Sequence, residues 1–209
     1  MAQFARVGKA VGHANRLELL EFLAQRERSV EQLAKLAGLS VANASQHLQH
    51  LRQAGLVRPR REGQRVIYGL TGDEVVDLLA TLRSVAEANL AEVSRLVDDY
   101  LNAKDDLEPV QAEALLERAR AGEVTVLDVR PSEEFEVGHL PTAVNLPLGE
   151  LETRIAELPP GQPVVAYCRG PYCVLAYDAV VRLREAGFHA RRLDGGLPEW
   201  RRAGLPVES

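Results

Sequence analysis

Apolar and polar residues in the first half of the chain follow the spacing of short helices. Ser29 and Gln32 have the spacing of a capping box, which begins a helix that Gly38 ends. Ser40 begins the next helix, which carries apolar residues on one face and ends at Gly55. Two short helices joined by a tight turn predict a helix-turn-helix.

After the helix that ends at Gly55, apolar residues recur at every second position. Val66, Tyr68 and Leu70 alternate with other residues, and residues 61–64 supply a turn before them. Such alternation beside a turn indicates a β-hairpin.

A long helix is predicted next, over residues 71–101. Thr71 and Glu74 have the spacing of a second capping box, and Asn89 interrupts an apolar seam with 3-4 heptad spacing. The apolar seam consists of Leu79, Leu82, Ala86, Val93, Leu96 and Tyr100. The helix could simply cover the core of its own domain. A seam this long favours a partner helix, so we expect a homodimer through residues 71–101.

Strands and helices alternate in the second half of the chain. Apolar runs over residues 124–129 and 163–167 predict buried strands. A helix follows at about 174–186, and a third strand lies near 190–193. This alternation predicts a parallel α/β sheet.

A charged stretch before Pro109 separates these two patterns. The sequence therefore predicts two domains, a mainly α domain over residues 1–104 and an α/β domain over residues 105–209. Charge divides in a similar way, because residues 1–72 carry a net charge of +6 in a chain whose total is −5. A basic first third on an acidic protein indicates a polyanionic partner for that part only.

Composition restricts the class of protein further. No apolar run among the 209 residues approaches the length of a membrane span, and the basic N-terminus lacks the pattern of a signal peptide. Two cysteines exclude a scaffold built on disulfides. We expect a cytoplasmic protein with no membrane partner.

Both cysteines lie in one short loop, Cys168-Arg169-Gly170-Pro171-Tyr172-Cys173. A cysteine that ends a buried strand just before a helix is surrounded by backbone N–H groups, which stabilise its thiolate. The alternative is an inert buried cysteine. We favour a nucleophilic Cys168.

Residues from about 110 to 206 resemble a single-domain rhodanese. The resemblance rests on segments 127–130, 134–135 and 138–145, on the Cys168 loop, and on Gly195-Gly196 with Trp200. It implies that Cys168 accepts sulfane sulfur as a persulfide within the loop formed by Arg169, Gly170, Pro171 and Tyr172.

The loop departs from the family pattern in two places. Cys173 stands where common sulfurtransferases often have Arg, Lys or Thr, and Val174 stands where the related phosphatases and arsenate reductases have an oxyanion-binding arginine. Oxyanion ester chemistry is therefore disfavoured. Arg169 is the lone cation of the loop, which favours sulfur donors that are neutral or singly charged over the thiosulfate dianion.

Residues 1–100 resemble the ArsR family of winged-helix repressors, chiefly through residues 39–57. The resemblance implies a homodimer on a palindromic operator, with one recognition helix per half-site in the major groove. The predicted DNA-contacting residues on that helix are Ser40, Asn43, Ser45, Gln46 and His47. Those of the hairpin are Arg58, Arg60, Arg61 and Arg65, which suit phosphates; the alternative for these arginines is a solvated hairpin.

The sequence disfavours a metal site in the N-terminal domain. His47 and His50 are three residues apart on a helix, but sensors of this family often add cysteines on the helix before the turn, and residues 29–35 contain none. We expect neither a metal nor another cofactor.

These features together predict a DNA-binding regulator that senses or transfers sulfane sulfur through Cys168, with Cys173 as the resolving cysteine. A direct bridge requires Cα atoms within about 7 Å, so the short loop favours a polysulfide bridge over a plain disulfide. Two alternatives stay open: an active sulfurtransferase with autoregulatory DNA binding, and a thiol-based sensor of arsenite or redox state.

Overall fold

The computed structural model of the chain describes residues 1–96 and 107–209. It divides into two compact units, Met1–Ser84 and Val85–Ser209. The predicted domain boundary at residues 104 and 105 lies outside the described residues.

Helices and a small sheet form the N-terminal region, as predicted. In chain order the elements are α1 (Ala2–Val11), α2 (Ala14–Gln25), β1 (Arg28–Ser29), α3 (Val30–Leu36), α4 (Val41–Gln53), β2 (Val57–Glu62), β3 (Arg65–Leu70), α5 (Glu74–Asn89) and α6 (Ala91–Leu96). Ser29 and Gln32 form the predicted capping box of α3, and the Ser40 hydroxyl caps α4 by accepting a hydrogen bond from the Asn43 amide. The predicted helix-turn-helix is therefore confirmed as α3 and α4.

The predicted hairpin is also present. Strands β2 and β3 pair antiparallel from Val57 with Leu70 to Glu62 with Arg65. Gly63 occupies the turn with φ +60°, a conformation in which glycine has no steric cost. Strand β1 adds a third, antiparallel partner to β3, which gives the sheet order β1-β3-β2.

The prediction of one uninterrupted long helix is wrong. Helix α5 ends at Asn89 and α6 begins at Ala91, with Leu90 between them. The Thr71 hydroxyl does not cap α5, because it donates to the carbonyls of Gly55 (2.8 Å) and Leu56 (3.3 Å) instead.

The predicted seam is only partly buried within this chain. Leu79 is buried, whereas Leu82 is 38% exposed. The Asn89 amide lies at the exposed surface and donates to the Val85 carbonyl, one turn earlier in the same helix. Tyr100 and the side chain of Leu96 lie outside the described part of the chain.

The C-terminal region is the predicted parallel α/β fold. Its elements are α7 (Ala112–Arg120), β4 (Thr125–Asp128), α8 (Ser132–Phe135), β5 (Val144–Asn145), α9 (Leu151–Arg154), β6 (Val164–Cys168), α10 (Val174–Glu185), β7 (Ala190–Gly196) and α11 (Leu197–Arg202). The strands pair in parallel in the order β5-β4-β6-β7. The two-residue strand β5 and the four-residue helices α8 and α9 were not predicted, because they are too short to show a period.

Alternate residues of the central strands belong to two different cores, as the period of two in a strand requires. On β6, Val164, Ala166 and Cys168 pack into the core that α10 contributes to. Val165 and Tyr167 pack into the other core, with residues of α7 and Trp200. Cys168 thus ends its strand with its side chain directed into a packed core.

Candidate functional site

The cysteine loop joins the end of β6 to the start of α10. Cys168 is the last residue of the strand, and Cys173 is the N-cap residue of the helix. Within the loop, the Cys173 N–H donates to the Gly170 carbonyl (3.1 Å), and the Tyr177 hydroxyl of α10 donates to the Pro171 carbonyl (3.2 Å). Pro171 and Tyr172 are half-buried. Hydrogen bonds inside the loop and from the helix therefore fix the path between the two cysteines.

The two cysteines are joined by a direct disulfide, and their Cα atoms lie 6.1 Å apart. This separation is within the range that a direct bond spans. The expectation that loop length favours a polysulfide bridge is therefore corrected for this structure.

The two sulfur-bearing residues differ in exposure. Cys168 is completely buried, whereas Cys173 is half-buried. In this oxidised form the expected nucleophile, Cys168, is thus the less exposed of the two residues. A thiol arriving from solvent meets Cys173 first.

Arg169 does not present a free charge to the loop. Its Nε and Nη2 donate to both carboxylate oxygens of Glu134 in α8, at 2.7 to 3.2 Å. The Glu134 side chain is 1% exposed and that of Arg169 is 21% exposed. The pair is therefore a bidentate ion pair with a buried carboxylate.

A second arginine–carboxylate pair lies entirely inside the α/β unit. Arg130 donates from Nη2 to Asp128 Oδ2 (2.6 Å) and to the Gly138 carbonyl (2.8 Å), and both side chains of the ion pair are 0% exposed. This pair ties the end of β4 to the segment that leads towards β5.

Gly196 allows the backbone of β7 to approach the cysteine loop. A Cβ atom at this position would lie 2.4 Å from the Cys168 carbonyl oxygen and 2.5 Å from the Gly170 nitrogen. Any side chain would therefore displace the loop backbone.

The candidate DNA-binding surface begins on α4. Asn43 and Gln46 are exposed, and Ser45 is half-buried. Ser40 is exposed too, with its hydroxyl engaged at the helix N-terminus. These four residues are thus placed on or near the surface of the helix that the sequence assigns to DNA recognition.

His47 does not share that surface. Its side chain is 9% exposed, and its ring lies 4.6 Å from the ring of His13. Burial, then the nearby His13, Arg16 and His50, lower the pKa of His47 below its ordinary value. Nδ1 of His47 has no hydrogen-bond partner among the described residues. The prediction that His47 faces DNA is corrected.

The four hairpin arginines differ in their surroundings. Arg58, Arg61 and Arg65 are exposed. Arg60 is exposed as well but pairs with Glu27 at 3.0 Å and with Glu62 at 3.6 Å. Three of the four guanidinium groups are thus better placed than Arg60 to meet phosphates.

Two family models match separate parts of this chain. The model for bacterial regulatory proteins of the arsR family matches residues 13–58, and the rhodanese-like domain model matches residues 111–203. The chain is also 48% identical over 206 residues to the HTH-type transcriptional regulator Rv0324 of Mycobacterium tuberculosis, which covers 99% of this chain and 90% of that protein. The chain belongs to the ArsR family. It is an ArsR-type DNA-binding regulator fused to a rhodanese-like domain.

Two other similar proteins each match one part of the regulator. A protein of Allochromatium vinosum named Sulfurtransferase is 33% identical over 100 residues, which is 47% of this chain and 92% of that protein. A solved homodimeric winged helix-turn-helix DNA-binding domain from Mycobacterium bovis is 44% identical, covers 44% of this chain and 84% of that one, and has a TM-score of 0.41.

Within residues 1–96 and 107–209, no group of three or more His, Cys, Asp or Glu side chains is placed to hold a metal ion. His50 Nδ1 lies 2.8 Å from the Gln46 carbonyl of its own helix. In the part of the chain that the structure describes, no helix is long and apolar enough to cross a membrane.

The site residues that sequence reasoning missed lie outside the cysteine loop. Glu134 and Gly196 belong to segments that carry the rhodanese resemblance, but neither was given a role. Gly195-Gly196 before a helix was a usable signal, since paired glycines often mark a close backbone approach. No local pattern indicates that Glu134 would meet Arg169, because 35 residues separate them.

Proposed function

We propose that this regulator is a cytoplasmic homodimer that senses sulfane sulfur through Cys168 and resolves the product with Cys173. The observation that supports this most strongly is the Cys168–Cys173 disulfide at the end of β6. Paired cysteines of this kind are typical of redox-sensing sites. The small sulfur donor is a persulfide or a polysulfide.

The proposed chemistry needs no separate oxidant. The Cys168 thiolate attacks the terminal sulfur of a persulfide RSSH, which breaks its S–S bond, forms a Cys168 persulfide and releases RS⁻. The Cys173 thiolate then attacks Sγ of Cys168, which forms the disulfide and expels HS⁻. The sulfane sulfur is reduced to sulfide, and the two cysteines are oxidised.

The proposed operator contacts use the exposed part of the α4 and hairpin surface. Ser40, Asn43, Ser45 and Gln46 would contact bases or phosphates, and Arg58, Arg61 and Arg65 would contact phosphates. Arg60 would contribute less, because Glu27 already compensates its charge. Loop chemistry would then change the affinity for operator DNA.

Dimerisation is proposed through α5 and the residues that follow it. Leu82, Val85 and Leu90 are large apolar side chains that are 38%, 57% and 51% exposed in the single chain. Phe4 of α1 is 76% exposed. Apolar side chains this exposed favour burial against a second copy, in keeping with the homodimeric domain of the Mycobacterium bovis protein.

The two cysteines can be tested separately on DNA selected from a random library with the reduced protein. Fluorescence anisotropy would follow DNA release as cysteine persulfide is added. Cys168→Ser should abolish both sulfur uptake and release. Cys173→Ser should keep the Cys168 persulfide, seen by mass spectrometry, but lose most of the release.

Two results would contradict this proposal. Normal release by Cys168→Ser would exclude Cys168 as the sensing residue. Normal release by Cys173→Ser would leave a one-cysteine mechanism.

A sulfurtransferase is the second candidate, favoured by the similarity to the Allochromatium vinosum protein. An enzyme should convert many equivalents of cyanide to thiocyanate per Cys168, whereas a sensor should react once and stop. Turnover that continues in Cys173→Ser but not in Cys168→Ser would support the enzyme.

A further inference from the structure

The ion pair between Glu134 and Arg169 sets the charge of the cysteine loop. Resting on the proposed function, we infer that Glu134 is a specificity-determining residue that favours sulfur donors with at most one negative charge at the reacting end. It does so by neutralising Arg169, so that dianionic donors such as thiosulfate are accepted poorly.

Arg169 is bound to the Glu134 carboxylate by a bidentate ion pair. Arg169 is the one charged residue among positions 168–173. Both carboxylate oxygens of Glu134 accept from its guanidinium group, and the shortest contact is 2.7 Å. Because Glu134 is 1% exposed, releasing Arg169 would remove a bidentate partner from a buried carboxylate. The loop therefore presents a neutral pair in place of a cation.

The other arginine close in sequence to Glu134 is not available as a substitute. Arg130 is fully buried and donates to Asp128 and to the Gly138 carbonyl. It cannot turn towards a donor without breaking a buried ion pair.

The charge of the cysteine loop should affect the reaction with thiosulfate more than the reaction with a persulfide. When the Cys168 thiolate attacks its outer sulfur, the S–S bond breaks, a Cys168 persulfide anion forms and sulfite leaves with two negative charges. Three negative charges are thus brought together, and a net positive loop would compensate them better than a neutral one. A persulfide group brings at most one negative charge to the same atom, so the neutral loop suits it.

The alternative is that the pair only positions the loop. Charge and position can be separated by replacing both partners with neutral residues that keep the hydrogen-bonding capacity. Glu134→Gln alone removes the negative charge from the pair, Arg169→Gln alone removes the positive charge, and the double variant restores a neutral pair.

The experiment measures the rate of Cys168 persulfide formation in the reduced full chain by mass spectrometry. The background is Cys173→Ser, so that the persulfide is not resolved. Cysteine persulfide and thiosulfate are the donors, and the readout is the ratio of their rates. Glu134→Gln should raise the thiosulfate rate relative to cysteine persulfide at least tenfold, and the double variant should return the ratio to within about threefold of the parent.

Glu157→Gln is the matched control. Glu157 pairs with Arg154 at the exposed surface, away from the loop in sequence, and should leave the ratio unchanged. A parent protein that reacts equally fast with both donors, or a Glu134→Gln variant with an unchanged ratio, would overturn the inference.

Two further outcomes keep the test decisive. If Glu134→Gln does not fold, the ratio in the double variant decides: a parent-like ratio supports the inference, and a thiosulfate preference overturns it. If the parent takes sulfur from neither donor, the proposed function fails, and this inference fails with it. Sulfur uptake without charge dependence would overturn the inference alone.

Discussion

The arginines of the hairpin and those near the cysteine loop are placed in opposite electrostatic surroundings. Arg60 pairs with Glu27 where both side chains are about half exposed, and Arg61 is exposed beside it. Arg130 and Asp128 are completely buried, and Glu134 holds Arg169 from a buried position. The exposed hairpin arginines can meet an external polyanion, Arg60 less readily than Arg61, whereas the buried pairs stabilise the fold and the loop.

This difference predicts that removing an arginine has a different consequence in each region. In the hairpin, the loss should appear in DNA binding and its salt dependence, with little effect on stability. In the α/β unit, the loss should appear first in the stability of the unit.

The largest effect is expected for Arg130→Met. This change leaves Asp128 buried and unpaired, and breaking a buried pair in this way typically costs about 3–5 kcal/mol. Chemical denaturation followed by circular dichroism should show a large loss in the unfolding free energy of the α/β unit. Arg154→Gln, which removes exposed pairs, should cost far less, because solvent screens those charges. Equal costs for the two variants would break the comparison between buried and exposed charges.

A second test concerns dimerisation: it asks whether the exposed apolar residues of α5 bind a second copy of the chain, as the exposed arginines are expected to bind DNA. Leu82→Glu combined with Val85→Glu should place like charges in the proposed interface. Sedimentation should then show a monomer, and operator affinity should fall at least a hundredfold because one half-site offers far fewer contacts. Val137→Glu is the control, since Val137 is also exposed but lies outside α5. A double variant that stays dimeric would place the interface elsewhere.

A smaller effect is expected in the hairpin, where Arg61 and Arg60 can be compared directly. Arg61→Ala should reduce the slope of log affinity against log salt by about 2, because a homodimer would lose one phosphate contact in each half-site. Arg60→Ala should change the slope less, because Glu27 lies 3.0 Å from its guanidinium group. Anisotropy titrations at several salt concentrations would measure both slopes. Identical slopes in the two variants would mean that the ion pair opens freely when DNA binds.

Sequence patterns that span a few residues predicted the elements that are stabilised by contacts between neighbouring residues. Ser29 with Gln32 and Ser40 marked the starts of α3 and α4, because capping is decided within four residues. Thr71 shows where such a signal fails, since its hydroxyl bonds to the Gly55 carbonyl, 16 residues away. The partnership of Glu134 with Arg169 was likewise out of reach, because tertiary packing alone brings the two together.

The burial of His47 could have been predicted. Ala44, Leu48 and Leu51 define the core face of α4, and position 47 falls on the same face by the spacing i, i+3, i+4, i+7. The resemblance to DNA-binding relatives drew His47 into the list of DNA contacts, against this periodicity. Periodicity was the better guide because it reports packing directly.

His47 is a buried titratable group in the unit that carries the exposed hairpin arginines, so it extends the comparison to a buried ionisable side chain in that unit. Burial is the main cause that lowers its pKa, and His13, Arg16 and His50 lower it further. The unfolded chain therefore binds a proton near the ordinary pKa of about 6.5, while the folded state stays neutral to lower pH. The stability contribution is complete above pH 6.5 and is lost as the pH falls towards the folded pKa.

We expect a modest decrease in the unfolding free energy of the N-terminal unit between pH 7.5 and 5.5, which His47→Gln should reduce. His189→Gln is the control, because His189 lies in the other unit. In this variant the unfolding free energy of the N-terminal unit should decrease as much as in the parent. Denaturant titrations at the two pH values would measure both variants, and the same decrease in His47→Gln as in the parent would assign the pH dependence to other groups.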